Sequence, residues 1–219
     1  MSEKVFTREQ MADLPCRLLR DGHVANARVS VYEVNGKQWT VKDFSGRPWW
    51  VRYILAPLLL GHELSVINRL GAIEGVAGQA FRIDGCALAI EFMPGTPLGK
   101  MPEKDYTPAF FEAMETLLKR VHEREIVHLD TRGSGNWLVS PQGKPILIDF
   151  QSALSTAWMP KGLKRFARSV DLSGVYKKWH ALMPESMDQE RLRAFEKGEK
   201  HRAKWKIRGY FGAHKTSKK

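Results

Sequence analysis

The sequence predicts an α+β chain with two lobes, a small β-rich one followed by a helical one. Three observations predict it. Asn35-Gly36 joins two runs of alternating apolar residues, the signature of a hairpin. From Pro108 the apolar period changes to that of a helix. Between these regions "GTPLGKMPEKD", Gly95 to Asp105, has the composition of a linker.

Taken in order, "GHVANARVSVYEVNGKQWTVKDF" gives two strands. Val29 and Val31 precede the turn, Trp39 and Val41 follow it, and Asn-Gly tolerates the positive φ that both central residues must take. A helix is expected over roughly Leu58 to Leu70, closed by Gly71. "QAFRIDGCALAIEFMPG" reads as a second strand pair about Asp84-Gly85, ending at Pro94-Gly95. Phe111, Met114, Leu117, Leu118 and Val121 then form a core-facing stripe on a helix that begins near Pro108. A short hairpin turning at Pro141-Gln142-Gly143 and a mostly helical remainder complete the chain. The expected division is 1–95 for the first lobe, 96–190 for the helical lobe and 191–219 for a basic helix or tail.

One stretch contains more polar chemistry than a packed core would use. "EIVHLDTRGSGNWLVSPQGKPILIDFQ" sets His128, Asp130, Asn136 and Asp149 around a glycine-softened loop and a tight hairpin. The strand, turn and strand from Asn136 to Asp149 would carry the chain back so that these two side chains converge. Upstream, Lys42 ends a strand in "WTVKDF" and Glu63 lies on the helix that follows. Phosphoryl transfer from ATP requires such a set. A braced lysine holds phosphate, a carboxylate orients the hydroxyl, and an Asn and an Asp bind magnesium.

On these residues the chain resembles the protein-kinase-like superfamily, over five stretches covering most of Gly22 to about Asp171. "GHVANARV" occupies the place of the glycine-rich loop, "TVKDF" resembles the strand of the nucleotide lysine, and "LAIEFMPG" the hinge between lobes. "VHLDTRGSGN" resembles the catalytic loop and "LIDFQ" the metal-binding Asp-Phe-Gly stretch. The resemblance implies a bilobal kinase-like fold that binds ATP and Mg2+. In it Gly22 and Val29 would line the nucleotide, Lys42 would contact phosphates with Glu63 as its partner (Glu74 and Glu91 being the alternatives), and Glu91 and Met93 would offer backbone groups to adenine. Asp130 would be the catalytic base or hydroxyl-orienting group, with Asn136 beside it in the catalytic set. Asn136 and Asp149 would bind the magnesium, and His128 would be a structural brace. Asp171 resembles the buried Asp that braces the catalytic loop, although a helix cap is an equally ordinary task for it.

The departures from the family pattern are informative. Only Gly22 remains of the glycine loop, with Val24 and Ala27 where glycines usually stand. Five residues separate Asp130 from Asn136, one more than usual, with Gly133 and Gly135 available to absorb the extra length. Gln151 replaces the last glycine of Asp-Phe-Gly, and no Ala-Pro-Glu follows. So minimal an activation segment favours the compact atypical branch, namely the RIO kinases and the bacterial lipopolysaccharide kinases of the Kdo and heptose type. The implied acceptor is a hydroxyl, on a glycolipid sugar or a protein Ser/Thr. The depleted loop also motivates an alternative, a nucleotide-binding pseudokinase scaffold.

Composition bounds the setting. Of 219 residues 43% are hydrophobic and 27% charged, which suffices for a core. Cys16 and Cys86 show no metal spacing and read as reduced cytosolic thiols. The first residues lack an apolar leader, and "WWVRYILAPLLLG" is too short and too interrupted to span a bilayer. A cytoplasmic protein is expected, with peripheral contact on the inner face of the membrane. "FSGRPWWVRYILAPLLLGHE" either packs the small lobe or rests on an anionic interface. The net charge is +11, and Arg191 to Lys219 holds eleven Lys and Arg against two Glu. That end either binds anionic lipid or nucleic acid or is a solvated helix with a frayed end. A nucleic-acid partner rests only on this end, where Trp205, Tyr210 and Phe211 are interleaved, and is not expected to be the main one. His62, His122 and His180 show no partner pattern and read as surface or core residues.

Overall fold

The computed structural model describes residues 4–71, 73–102, 106–133 and 135–207, with side chains described up to residue 200. The chain is α+β, with a five-stranded antiparallel sheet in its N-terminal part and helices dominating the rest. The strands are β1 (Cys16–Arg20), β2 (Arg28–Val34), β3 (Lys37–Asp43), β4 (Ala80–Arg82) and β5 (Ala87–Glu91), in the order β1-β2-β3-β5-β4. Asn35 and Gly36 take φ of 51° and 74°, as the short hairpin between β2 and β3 demands. The turn from β4 to β5 is made differently. Asp84 accepts the Cys86 N–H on its own carboxylate at 2.7 Å, an Asx-type turn that needs no left-handed glycine.

Strand alternation decides which residues reach which layer. On β3, Trp39 and Val41 are buried on one face with Phe6 and Phe81, where Phe81 meets both rings edge-on. The opposite face packs through Val29, Leu88 and Ile90 onto α1 (Ala56–Leu70). This helix starts two residues before the expected Leu58, after a wide π-type turn over Val51–Leu55. Pro57 in its first turn has no N–H to donate, which the start of a helix tolerates.

β1 is not legible in the sequence. Its five residues are all exposed, so it carries no alternation. It pairs with β2 from Cys16↔Tyr32 to Arg20↔Val29, with an irregularity between Leu18 and Arg20.

The described part of the expected linker is a structural segment instead, with residues 103–105 outside the described residues. Thr96–Pro97 forms β6, which pairs with β8 (Trp137–Val139), and Leu98 is buried in the second core. β8 pairs in turn with β9 (Pro145–Leu147) across a turn in which the Gly143 N–H donates to Ser140 O. A second short pair joins β7 (Ile126–Val127) to β10 (Leu154–Ser155). Around them stand α2 (Pro108–Glu123), α3 (Lys161–Leu182) and α4 (Gln189–Ile207). Thr107 caps α2 by accepting the Phe110 N–H, and Phe111 stacks on Trp179 of α3 at 5.4 Å.

α4 crosses the boundary expected at 190 and docks on α3. His180 stacks on Phe195 at 4.5 Å, and Arg191 reaches Glu115 of α2 at 2.8 Å. Residues 208–219, with Tyr210 and Phe211, lie outside the described residues, as does the Trp205 side chain. Among the described residues no helix is long and apolar enough to cross a membrane.

Candidate functional site

Two carboxylates from distant parts of the chain meet at Lys42. Strand period places Lys42 on the α1 side of β3, where its Nζ lies 2.7 and 2.9 Å from the two carboxylate oxygens of Glu63. The same Nζ donates to Asp149 Oδ1 at 2.7 Å. Glu63 is 1% exposed and Lys42 is buried, so the pair is held in a low-dielectric setting. Burial pulls the Lys42 ammonium toward neutrality, but Glu63 and Asp149 together outweigh it and hold its pKa above the ordinary value. At Asp149 burial likewise favours the neutral form and raises the carboxyl pKa. There Lys42 prevails and the carboxyl lies below its usual range. Asp149 itself stands in the left-handed region at φ 68°, directly after the segment that leaves β9.

The loop from His128 to Asn136 is built from below by α3. Asp171 is fully buried and accepts the N–H of His128 and of Leu129, one on each oxygen, at 2.7 Å. Its backbone carbonyl accepts the Thr131 hydroxyl at 2.7 Å. Gly174, one turn further along α3, is what allows that approach. A Cβ there would lie 2.2 Å from Thr131 Oγ1 and 2.7 Å from the Thr131 carbonyl carbon. Asp171 is therefore the loop's brace and not a helix cap.

His128 ties this loop to the next one. Its Nδ1 accepts the Asp130 N–H, which leaves Nε2 as the protonated nitrogen donating to Ile148 O at 3.0 Å. Its ring meets Phe150 edge-on at 4.8 Å. Asn136 adds a further tie, accepting the Ile148 N–H on its backbone carbonyl. Its side-chain amide donates to Asp130 Oδ2 at 2.7 Å and to Asp130 O at 2.9 Å. With the nitrogen end committed to two acceptors, Asn136 Oδ1 is the end left for a cation.

A cavity of about 630 Å³ opens beside this network. Val29, Lys42, Glu63, Glu91, Met93, Asn136 and Asp149 all contribute to its wall. The Glu91 carboxylate is engaged with Lys37 and the Gly78 N–H, and its own N–H goes to Gln79 O. The Met93 N–H has no hydrogen-bond partner among the described residues. Asp130 is exposed and lies outside the cavity lining, joined to it through Asn136. Gly22 is outside it. A Cβ at Gly22 would lie 2.6 Å from Ala27 O, so this glycine serves a close crossing of its own loop. Among the described residues no group of three or more His, Cys, Asp or Glu side chains forms a metal cluster.

No family model matches the chain, and no curated protein matches it.

Sequence reasoning missed several contributors. Arg17 and Arg20 line the cavity from the unforeseen β1. His122 is no bystander, since its Nε2 lies 3.0 Å from Asp171 Oδ2. Lys178 of α3 donates to the carbonyls of Arg132 and Gly133, both at 3.0 Å, and so holds the loop from beneath at these two residues. Burial, followed by Lys177 and Arg132, pushes the Lys178 pKa down to about 8 against a partial pull from Asp130. Arg132 turns away from Asp130 to Glu199 of α4 at 2.6 Å. His122 and Lys178 carry no local signal, because only tertiary packing aims them.

Proposed function

We propose that this chain is an ATP- and Mg2+-dependent phosphotransferase of bilobal, protein-kinase-like build that moves the γ-phosphate to a hydroxyl group. The observation that carries the reading is the position of Lys42. A buried cation shared between Glu63 and Asp149 at a cavity wall is a poor way to stabilise a core, since desolvating three charges costs several kcal/mol. It is a sound way to keep an ammonium charged and aimed at phosphate oxygens.

The residues present fit both cofactors. Val29, Ile90, Leu138 and Leu147 give the cavity apolar walls for a purine, and the unpartnered Met93 N–H offers it a donor. Arg20 adds positive charge near Asp149. Asp149 and Asn136 Oδ1 would hold magnesium, an ion that keeps waters and takes few protein ligands. When bound it would neutralise charge on the phosphates. Lys42 would orient those phosphates, and Asp130, held by Asn136 and His128, would orient the acceptor hydroxyl and receive its proton. Hydrogen bonds from the His128 ring to Ile148 O and from the Ile148 N–H to Asn136 O keep the two halves of this set in fixed relation.

The acceptor belongs to one of two classes, a glycolipid sugar or a protein Ser/Thr. The test supplies the protein and labelled ATP to a lysate and to a lipid extract, and identifies by mass spectrometry what gains phosphate. Asp130→Asn and Asp149→Ala should each abolish transfer while the melting transition persists. Unchanged transfer in either would refute the assignment. Nucleotide binding without transfer to any acceptor would favour a scaffold in its place.

A further inference from the structure

The stretch entering α1 has two faces with opposite fates. Val51, Ala56 and Leu60 are sealed into the core under the sheet. Trp49, Trp50, Tyr53, Ile54 and Leu58 point outward, with exposures of 68%, 40%, 65%, 53% and 66%. Five large apolar side chains within ten residues exceed the scattered exposure ordinary for a surface.

Charge identifies what would cover them. From Phe44 to His62 the sequence has Arg47 and Arg52 and no acidic residue. Arg47 is answered by Asp21. Arg52 has no acidic partner among the described residues, its Nε is buried without a hydrogen bond, and its guanidinium lies 5.1 Å from the Tyr53 ring centroid. A second copy of this face would bring another unanswered Arg52 and no acid to meet it. Trp and Tyr combine an apolar body with a polar tip, the combination that settles at lipid headgroups.

We propose that this face rests on an anionic bilayer surface, with Arg52 meeting lipid phosphate and the rings of Trp49 and Tyr53 at headgroup depth. The helix lies along the interface, and among the described residues none could cross it. This goes beyond the phosphotransferase reading and does not depend on it.

The test uses the full chain and sedimentation with vesicles of equimolar phosphatidylglycerol and phosphatidylcholine, or of phosphatidylcholine alone. The protein should prefer the anionic vesicles. Trp49→Ser, Tyr53→Ser and Leu58→Ser combined should lower the partition coefficient about tenfold or more, and Arg52→Gln should reduce the preference for phosphatidylglycerol. Tryptophan quenching by brominated lipid in the unaltered protein gives a readout without variants. The proposal is overturned if the triple variant sediments like the parent, which would assign binding to the basic C-terminal end. It is equally overturned if the parent shows no quenching, or if it self-associates through this face and leaves vesicles unbound.

Discussion

Leu129 stands in the left-handed region at φ 62° because Asp171 holds it there, accepting its N–H at 2.7 Å. A branched side chain in that region costs on the order of 1 kcal/mol or more, and it persists only where its surroundings fix it. The backbone leading into Asp130 is therefore set by the carboxylate of Asp171, nearly three turns into α3 and far downstream in the chain.

Asp171→Asn tests that dependence. The substituted amide turns one acceptor into a donor facing an N–H, and a buried donor left unpaired costs about 1–3 kcal/mol. Unfolding free energy in urea should fall by about that amount. Hydrogen exchange at the amides of His128 and Leu129 should accelerate well beyond the global change. Exchange that rises only with global unfolding would show that other contacts fix the loop.

Lys42 and Glu63 should respond unequally to removal. Glu63→Gln leaves Lys42 paired with Asp149, so a loss of about 1–2 kcal/mol is expected. Lys42→Met strands the buried Glu63 carboxylate beside Asp149 and should cost about 3 kcal/mol or more at neutral pH. Equal losses in a urea series would mean that the three charges do not share one site.

Gly174→Ala should be disproportionately harmful for a substitution that normally favours a helix. The added methyl meets Thr131 at 2.2 Å on the hydroxyl and 2.7 Å on the backbone, and relieving such an overlap costs about 1–3 kcal/mol. Removing the hydroxyl with Thr131→Ala should restore only part of the loss, because the backbone overlap remains. Full restoration would place the whole conflict in the side chain.

Lys178 supplies a pH signature. Its folded pKa of about 8 lies below the ordinary 10.5, so between these values the unfolded chain holds more protons at this group. Stability contributed by Lys178 therefore rises as pH climbs from 8 toward 10.5, and below 8 the penalty for the charged amine is felt in full. After discounting for solvent contact, a gain on the order of 1–2 kcal/mol is expected across that window. It should vanish in Lys178→Met. Competitive acetylation read by mass spectrometry would report the titration directly, and a midpoint above 10 would reject it.

Local chemistry made much of this legible. Asn35-Gly36 forces its turn whatever surrounds it, and the stripe from Phe111 to Val121 has one side to bury. Lys42, Glu63, Asn136 and Asp149 were visible because their residue types and order are those phosphoryl chemistry uses, and they meet at one cavity. β1 was invisible because an all-exposed edge strand has no apolar period, and with it Arg17 and Arg20 escaped notice. The segment after Gly95 read as a linker because Gly, Pro and Lys give it that composition. Yet Leu98 is buried and Thr96 pairs with Val139.

By itself the sequence determined the α+β order of elements and the polar residues set aside from the core, since turn chemistry and apolar period act over a few residues. Tertiary structure alone decided that Lys42 is shared by two carboxylates, that Asp171 and His122 meet beneath the loop, and that Lys178 holds the carbonyls of Arg132 and Gly133. Those relations span from 21 to 107 positions in the chain. Burial and charge compensation, rather than any local preference, hold such distant groups together.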